Sequence, residues 1–468
     1  MTHVIRVLSR VFLAALFAVC VYRAITQSIT HDEALTWELY LAGPASAIFH
    51  HFDANHHFLN TLLMRVSAAL FGTSEFTLRL PALAGAALYF CAADRLAGFF
   101  SNAWAYLMSV ALMTLNPFIL DFMAAARGYG LALALFMWAL IWIAEQQPRR
   151  AMFAGAALAL SVTANLVFLP PAAALAAAGL YVFRKPAAEP SKKRRASEPR
   201  KMAPWMLFAA PAAAIAVLYF LLAPLENASM EHFYVGAGSI SESLRSMAKV
   251  SFQHSGPFKD APWNSKWTDA VAFGIAPLIV AAGLLAGYRR RDVFMLLVSA
   301  SVAMSSVILA ALHFALDRPY PSDRTGIYFL PLIAVLLAAL ADREKPASIP
   351  AFAIGLIVAA QFATEFNTRK FLLWEYDADS RALAQAVAAH RDPKAPIVHA
   401  GASWIVSKSL FFYASKYGWQ WLEITTRPIP GLDIYALPAE DRGKVSELRL
   451  HEVFVGPLSQ SVVAVPNK

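Results

Sequence analysis

Residues 8–33 read LSRVFLAALFAVCVYRAIT-QSIT-HDE: an apolar run over 8–26, a short break, and then two adjacent acids, Asp32 and Glu33. A run of about 20 mostly apolar residues is what a helix needs to cross a bilayer. Arg6 and Arg10 flank the start of the run, and Tyr22-Arg23 stands where a small-residue cleavage site would be. The run therefore reads as an uncleaved membrane anchor rather than a signal peptide. Two carboxylates immediately beyond a span stand at the boundary of lipid and water.

The rest of the chain has the same character. Of 468 residues, 58% are hydrophobic and 15% are charged, against roughly 45–50% and about 25% in soluble domains. This excludes a disordered chain and argues against an ordinary soluble enzyme. Further apolar runs fall near 78–98, 102–120, 129–145, 151–168, 170–183, 203–223, 268–287, 293–314, 326–341 and 347–364. The expected fold is a polytopic α-helical membrane protein with about eleven transmembrane helices. Residues 151–183 would be too long for one crossing, and Pro170-Pro171 is the expected point of breakage. The net charge of +9 does not point to nucleic acid. Arg149-Arg150, the basic linker 184–202 and Arg289-Arg290-Arg291 fall in alternate loops, which the positive-inside rule assigns to the cytoplasm. The opposite loops, including the first outer loop 27–77 and everything after 365, then face outward. Residues 1–365 form the expected membrane domain and 366–468 an extracytoplasmic α/β domain. In the latter, helices are expected near 379–390 and 405–417, with strands near 395–400, 419–425 and 432–436. Cys20 and Cys91 both lie in apolar runs, so neither a disulfide framework nor a cysteine-based zinc site is expected.

Chemistry-bearing residues gather on the outer face. The first outer loop holds His31-Asp32-Glu33 and the run His50 to His57, five of the twelve histidines in all. Asp32 and Glu33 can be read as catalytic acids or as a helix cap with a first-turn acid. The histidine spacing matches no tight zinc motif, so no cofactor is expected, although a divalent metal at this histidine-rich loop stays open. Residues 58–70 are amphipathic and suit the membrane interface; Arg65 on that stretch is expected to be silent. Arg79, before Pro81, reads as a head-group anchor, and Tyr129 as an interface aromatic. Arg127 stands at an outer helix start, where a cation opposes the helix dipole, so a bound anion is the natural reason for it. Asp317, Arg318, Asp323 and Arg324 fill a later outer loop, where Arg324 can meet an anion or pair with Asp317 or Asp323.

Four segments together resemble the GT-C fold glycosyltransferases that use lipid-phosphate sugars, in the branch of the bacterial protein O-mannosyltransferases and aminoarabinose lipid A transferases. They are His31-Asp32-Glu33-Ala34; Asn55-His56-His57-Phe58 with Phe71-Gly72-Thr73-Ser74-Glu75 and Arg79-Leu80-Pro81; Ala126-Arg127-Gly128-Tyr129; and Pro321-Ser322-Asp323-Arg324-Thr325-Gly326. The likeness covers roughly residues 1–365. Many relatives have Lys-Pro-Pro at Asn55-His56-His57 and an acid at Ala125, departures that bear on the donor. The resemblance implies Asp32 as catalytic base with Glu33 in support. It also implies substrate binding by Asn55, His56, His57, Arg127, Tyr129, Asp323 and Arg324, and transfer with inversion. The expected partners are a polyprenyl-phosphate-linked sugar, the lipid bilayer and an acceptor the sequence does not name, in the bacterial cytoplasmic (inner) membrane.

The inventory agrees with that expectation. Phosphate is already a good leaving group, so the reaction needs one carboxylate to accept a proton and cations to hold the departing phosphate. A transporter or lipid flippase is the alternative. It calls for ionisable groups near mid-membrane and paired repeats, and the sequence has few of the first and none of the second. A membrane scaffold with a partner-binding C-terminal domain would leave the loop acids and arginines without a role.

Overall fold

The computed structural model describes residues 2–184, 202–228, 235–252 and 264–467. Most of the basic linker 184–202 lies outside the described residues. The opening apolar run forms helix α1 (Thr2–Thr26), which leaves Leu8, Val11 and Phe12 exposed. Only 22% of its apolar window is buried, and only 6% in helices Pro204–Leu222 and Lys345–Glu365, so these faces meet lipid. The chain is a multi-pass membrane protein.

Each of the expected apolar stretches is helical, but the count of about eleven spans is not reproduced. Among the described residues, seven helices are long and apolar enough to cross a membrane, or up to eight if one bent pair is a single span. That pair, Ala103–Thr114 and Pro117–Ala124, bends by 61°. Pro117 opens the second half, where its missing N–H costs nothing, and the Asn116 side chain caps it. Gly128–Ala144 has 17 residues, Ala151–Ala164 has 14 and Phe329–Arg343 has 15. The expected break at Pro170-Pro171 falls instead at Asn165, which caps the short turn Leu166–Phe168. The two prolines sit in the first turn of helix Leu169–Arg184, a position that tolerates proline.

The C-terminal residues form a mixed five-stranded sheet of β1 (Val398–Ala402), β2 (Leu422–Thr425), β3 (Ile434–Leu437), β4 (Leu450–Val455) and β5 (Val462–Pro466), in the order β2-β1-β3-β5-β4. β1 pairs in parallel with β2 and β3, whereas β3, β5 and β4 pair antiparallel. Helices Ser380–Ala389 and Trp404–Lys416 cover the sheet. The hairpin β4–β5 lies beyond the strands expected from the sequence. The turn between them is tied down by Asp379, whose carboxylate accepts from the Leu458 and Ser459 N–H groups at 2.7 Å each.

This sheet domain sits on the first outer loop. Helix α2 (His31–Tyr40) packs against helix Trp404–Lys416, with Trp37 and Phe412 ring to ring at 5.3 Å. Glu75 accepts from Arg381 at 2.9 Å and from the Tyr413 hydroxyl at 3.0 Å, and it also pairs with Lys416. Lys408 meets Glu38 at 2.7 Å. The start of α2 is thus enclosed by both halves of the chain.

Candidate active site

The site begins with the cap of α2. Thr30 is the N-cap: its hydroxyl accepts from Glu33 N, and the Glu33 carboxylate accepts from Thr30 N, a reciprocal capping box. Glu33 also takes a two-point grip from Arg79, at 2.8 and 2.7 Å, and a third bond from Ala126 N at 2.6 Å. Arg79 spends its remaining donors on the carbonyls of Ala24, Gln27 and Ser28. Both side chains are fully buried. Arg79 is therefore no head-group anchor. It is the partner of a closed buried ion pair that locks α1 to α2, and a pair satisfied this fully is stable in low dielectric.

Asp32, the neighbouring acid, has a different environment. Its Oδ2 lies 3.6 Å from Arg127 Nη2 and 3.5 Å from Arg324 Nη1, too long for hydrogen bonds, and accepts no hydrogen bond from the described residues. Burial pushes its pKa up, but Arg127 and then Arg324 outweigh burial and hold it below the usual aspartate value. Arg127, 1% exposed, is braced by Asn55 Oδ1 at 2.6 Å and touches Thr36 Oγ1 at 3.4 Å, while its Nε lacks a partner. The anion that Arg127 calls for at a helix start is thus Asp32 itself. Arg324 is the more open of the two, with 27% of its side chain exposed.

Local backbone fixes this geometry. Gly128, directly after Arg127, passes so close to its neighbours that an added Cβ would stand 2.0 Å from the Ala164 carbonyl oxygen and 2.8 Å from His57 Cβ. Asp323, directly before Arg324, is held in the left-handed region at φ 46°, a conformation that aspartate tolerates better than most residues. Its carboxylate bonds to Ser246, and its N–H donates to Ser246 Oγ at 2.9 Å. Asp323 therefore shapes the turn that carries Arg324.

The remaining sequence candidates divide in two. Tyr129 is buried, 5.3 Å from the His57 ring and 4.7 Å from the Phe122 ring, so it is not an interface aromatic. His57 is buried, its Nε2 has no partner, and burial followed by the Arg127 and Arg324 charges drives its pKa well below the usual histidine value. It is a neutral imidazole. His56 stacks on Tyr40 at 4.3 Å one layer further out, and burial, helped by His51, lowers it to about 4. Among the described residues, no three His, Cys, Asp or Glu side chains converge to hold a metal. Arg65 donates to the carbonyls of Tyr40 and Gly43 at 2.7 and 3.0 Å and so caps the end of α2.

Sequence reading passed over Thr36 and the run Trp374-Glu375-Tyr376-Asp377, which contributes to Asp32's surroundings. No periodicity marks that run. Its one signal is a cluster of aromatic and acidic residues just after the last apolar helix.

No family model and no curated protein matches the chain. Solved structures do. ArnT from Cupriavidus metallidurans in the apo state aligns over 97% of both chains at 11% identity with a TM-score of 0.53. The same protein bound to undecaprenyl phosphate aligns at 13% identity over 97% of both chains with a TM-score of 0.43. The Archaeoglobus fulgidus oligosaccharyltransferase in complex with zinc and sulfate aligns at 12% identity over 97% of this chain and 73% of that one, with a TM-score of 0.42. At such identity the likeness speaks for architecture: the chain is a polytopic helical membrane protein of GT-C fold with a small C-terminal α/β domain.

Proposed function

We propose that the protein is an integral membrane glycosyltransferase that moves a sugar from a polyprenyl-phosphate donor to an extracytoplasmic acceptor, with inversion. The observation that carries this reading is the incompletely bonded Asp32 carboxylate between the guanidinium groups of Arg127 and Arg324. The donor's phosphate competes with Asp32 for the two guanidinium groups, whose planar donor pairs suit phosphate oxygens. Loosening their hold makes the carboxylate a better base. The acceptor's nucleophilic atom then bonds to the anomeric carbon from the opposite face. The bond from carbon to phosphate oxygen breaks, the lipid phosphate leaves with the electron pair, and Asp32 takes the acceptor's proton. The two arginines gain most when the phosphate carries its full departing charge. Neutral His57 and Asn55 offer hydrogen bonds at the same place, and the reaction as written needs no cofactor.

An apolar cavity of about 550 Å³ supports a lipid-borne donor. Its walls include Leu115, Met247, Phe252, Ile275 and Leu337, with Tyr320 and Pro321, which are close in sequence to Arg324. None of Asp32, Arg127 and Arg324 lines it, which suits a hydrocarbon tail more than a reacting head group. The loop charges favour the bacterial cytoplasmic membrane with this site facing outward.

The test is transfer from synthetic polyprenyl-phosphate sugars by the purified protein, beside Asp32→Asn, with the products identified by mass spectrometry. Reporter fusions after residues 250 and 440 should report the exterior, and those after 195 and 290 the cytoplasm. A cytoplasmic signal at 440, or equal turnover by Asp32→Asn, overturns the reading.

A further inference from the structure

The chain between the last apolar helix and the sheet domain does more than connect them. Phe371 lies between two guanidinium groups, 5.0 Å from that of Arg23 and 5.1 Å from that of Arg79. The next N–H, of Leu372, donates to Asp121 Oδ2 at 2.5 Å. Trp374 is 1% exposed, with its ring 5.5 Å from Phe122, and its side chain lies near Asp32, where it favours the charged carboxylate. Tyr376 faces the charges of Asp32, Arg324 and Arg127. Asp377, also 1% exposed, accepts the backbone N–H of His31 at 2.6 Å and meets Ser380 Oγ at 3.2 Å. Beyond it, Ser28 Oγ donates to the Ala378 carbonyl at 2.9 Å.

His31 opens α2, and its N–H is one of the donors a helix start leaves unpaired. Thr30 caps the Glu33 N–H within the loop, but the His31 N–H is capped from more than three hundred residues away. The His31 ring is held from the same side, with Nδ1 2.9 Å from the Ile405 carbonyl and the ring edge-on to Trp404 at 5.2 Å. Asp32 is the next residue. The turn that carries Asp32 is therefore held in part by chain that follows the membrane domain.

We propose that the strap Phe371–Asp377 is a positioning element of the active site: Asp377 fixes the first turn of α2 through the His31 N–H, and Trp374 backs the Asp32 carboxylate. This rests on the transferase reading given above, and it gives the C-terminal domain a role in the chemistry. Burial, with Asp32 and Glu33 nearby, drives the Asp377 carboxyl well above the usual range, although the His31 and Ser380 bonds oppose the shift. An amide oxygen in the same place can accept the His31 N–H.

Three variants of the full-length protein test the strap. Asp377→Ala should lower kcat about 10-fold or more with little change in donor KM, because a small displacement of a catalytic group is costly. Asp377→Asn should restore turnover to within about threefold, since its amide oxygen still accepts an N–H. Trp374→Phe keeps the packing against Phe122 but loses the indole N–H. Its acid limb in the pH–rate profile should move up by about one unit, with the melting temperature unchanged. Trp419→Phe, in the sheet domain, is the control. Hydrogen exchange at the first turn of α2 gives a readout without substrate: the His31 amide should be protected in wild type and Asp377→Asn, and exposed in Asp377→Ala. Equal kcat in Asp377→Ala and wild type overturns the proposal. So does equal loss in the alanine and asparagine variants, or an acid limb in Trp374→Phe matching that of Trp419→Phe. If wild type transfers no sugar from any polyprenyl donor while its His31 amide is protected, the transferase reading fails and the clamp on α2 stands.

Discussion

Asp32 and Glu33 are adjacent on one helix turn, yet they occupy opposite kinds of electrostatic site. Glu33 has every oxygen engaged: Arg79 grips it at two points, and the Thr30 and Ala126 N–H groups donate to it. Asp32 has two guanidinium groups nearby and a full bond to neither. A closed pair has nothing left to offer a ligand and serves as structure. An open pair holds charge in reserve, which is what a site must do if an incoming anion is to displace the internal one. Among the described residues, the partnerless buried atoms include His57 Nε2, Arg127 Nε and Asp32 Oδ2, all on the open side.

The largest expected effect separates the two acids by what they lose. Asp32→Asn keeps the shape and removes the base, so kcat should fall about 10²–10⁴-fold, with a smaller loss of stability than at Glu33 because Arg127 keeps its Asn55 bond. Glu33→Gln should do the reverse. It leaves Arg79 as an unpaired buried charge, a change that typically costs about 3–5 kcal/mol of stability. The variant that survives purification should turn over at a rate closer to wild type than Asp32→Asn does. Thermal unfolding and turnover measured on both proteins check this, and a destabilised Asp32→Asn with normal kcat would reverse the comparison.

The next effect tests the open side alone. Arg127→Ala removes the fully buried cation and should lower kcat about 10²-fold, in the range seen when one charge-stabilising donor is lost. Arg324→Ala, at the more exposed member, should cost less and act more on donor binding. A polyprenyl phosphate analogue titrated into wild type and both variants separates binding from turnover. Equal affinity and equal turnover in all three would leave the arginines as structural partners of Asp32.

What could be read from sequence divides along the same line. Asp32 stood out because an apolar run of fixed length ends just before it, and Arg127 because a cation at a helix start needs an anion. Both signals are local. Arg79 misled because its partner Glu33 is 46 residues away, while the neighbouring Pro81 suggested a span end. Tyr129 has the chemistry of a membrane-interface residue, and only packing shows it buried beside the His57 ring. The break at Asn165 was masked by Pro170-Pro171, because proline is as acceptable in a first turn as it is disruptive in a helix interior. The strap 371–377 has neither helical nor strand periodicity, so nothing short of the fold could bring it to α2.

The smallest expected effect is on pH, and it distinguishes the histidines from the acid. His57 is forced neutral by burial and by the two arginines, and His56 is lowered to about 4. Neither should titrate near the unperturbed histidine value of about 6.5, so the kcat profile should be flat through that region. Its acid limb should lie below the ordinary aspartate pKa of about 3.9, because Arg127 and Arg324 hold the Asp32 proton off. Replacing Arg324 with Gln removes one of those charges, favours the protonated acid, and should move the limb to higher pH by about one unit or less. Stability should follow the histidines with the opposite emphasis. A histidine whose folded pKa is depressed leaves the unfolded chain binding more protons below about 6.5, so stability is full above that pH and falls as the medium is acidified towards the folded value. The melting temperature of wild type should therefore decline between about pH 6.5 and 4, and His57→Gln should flatten part of that decline. A rate limb near 6.5 that disappears in His57→Gln would instead make the histidine a titrating participant, and Asp32 would no longer be the only base the open side offers.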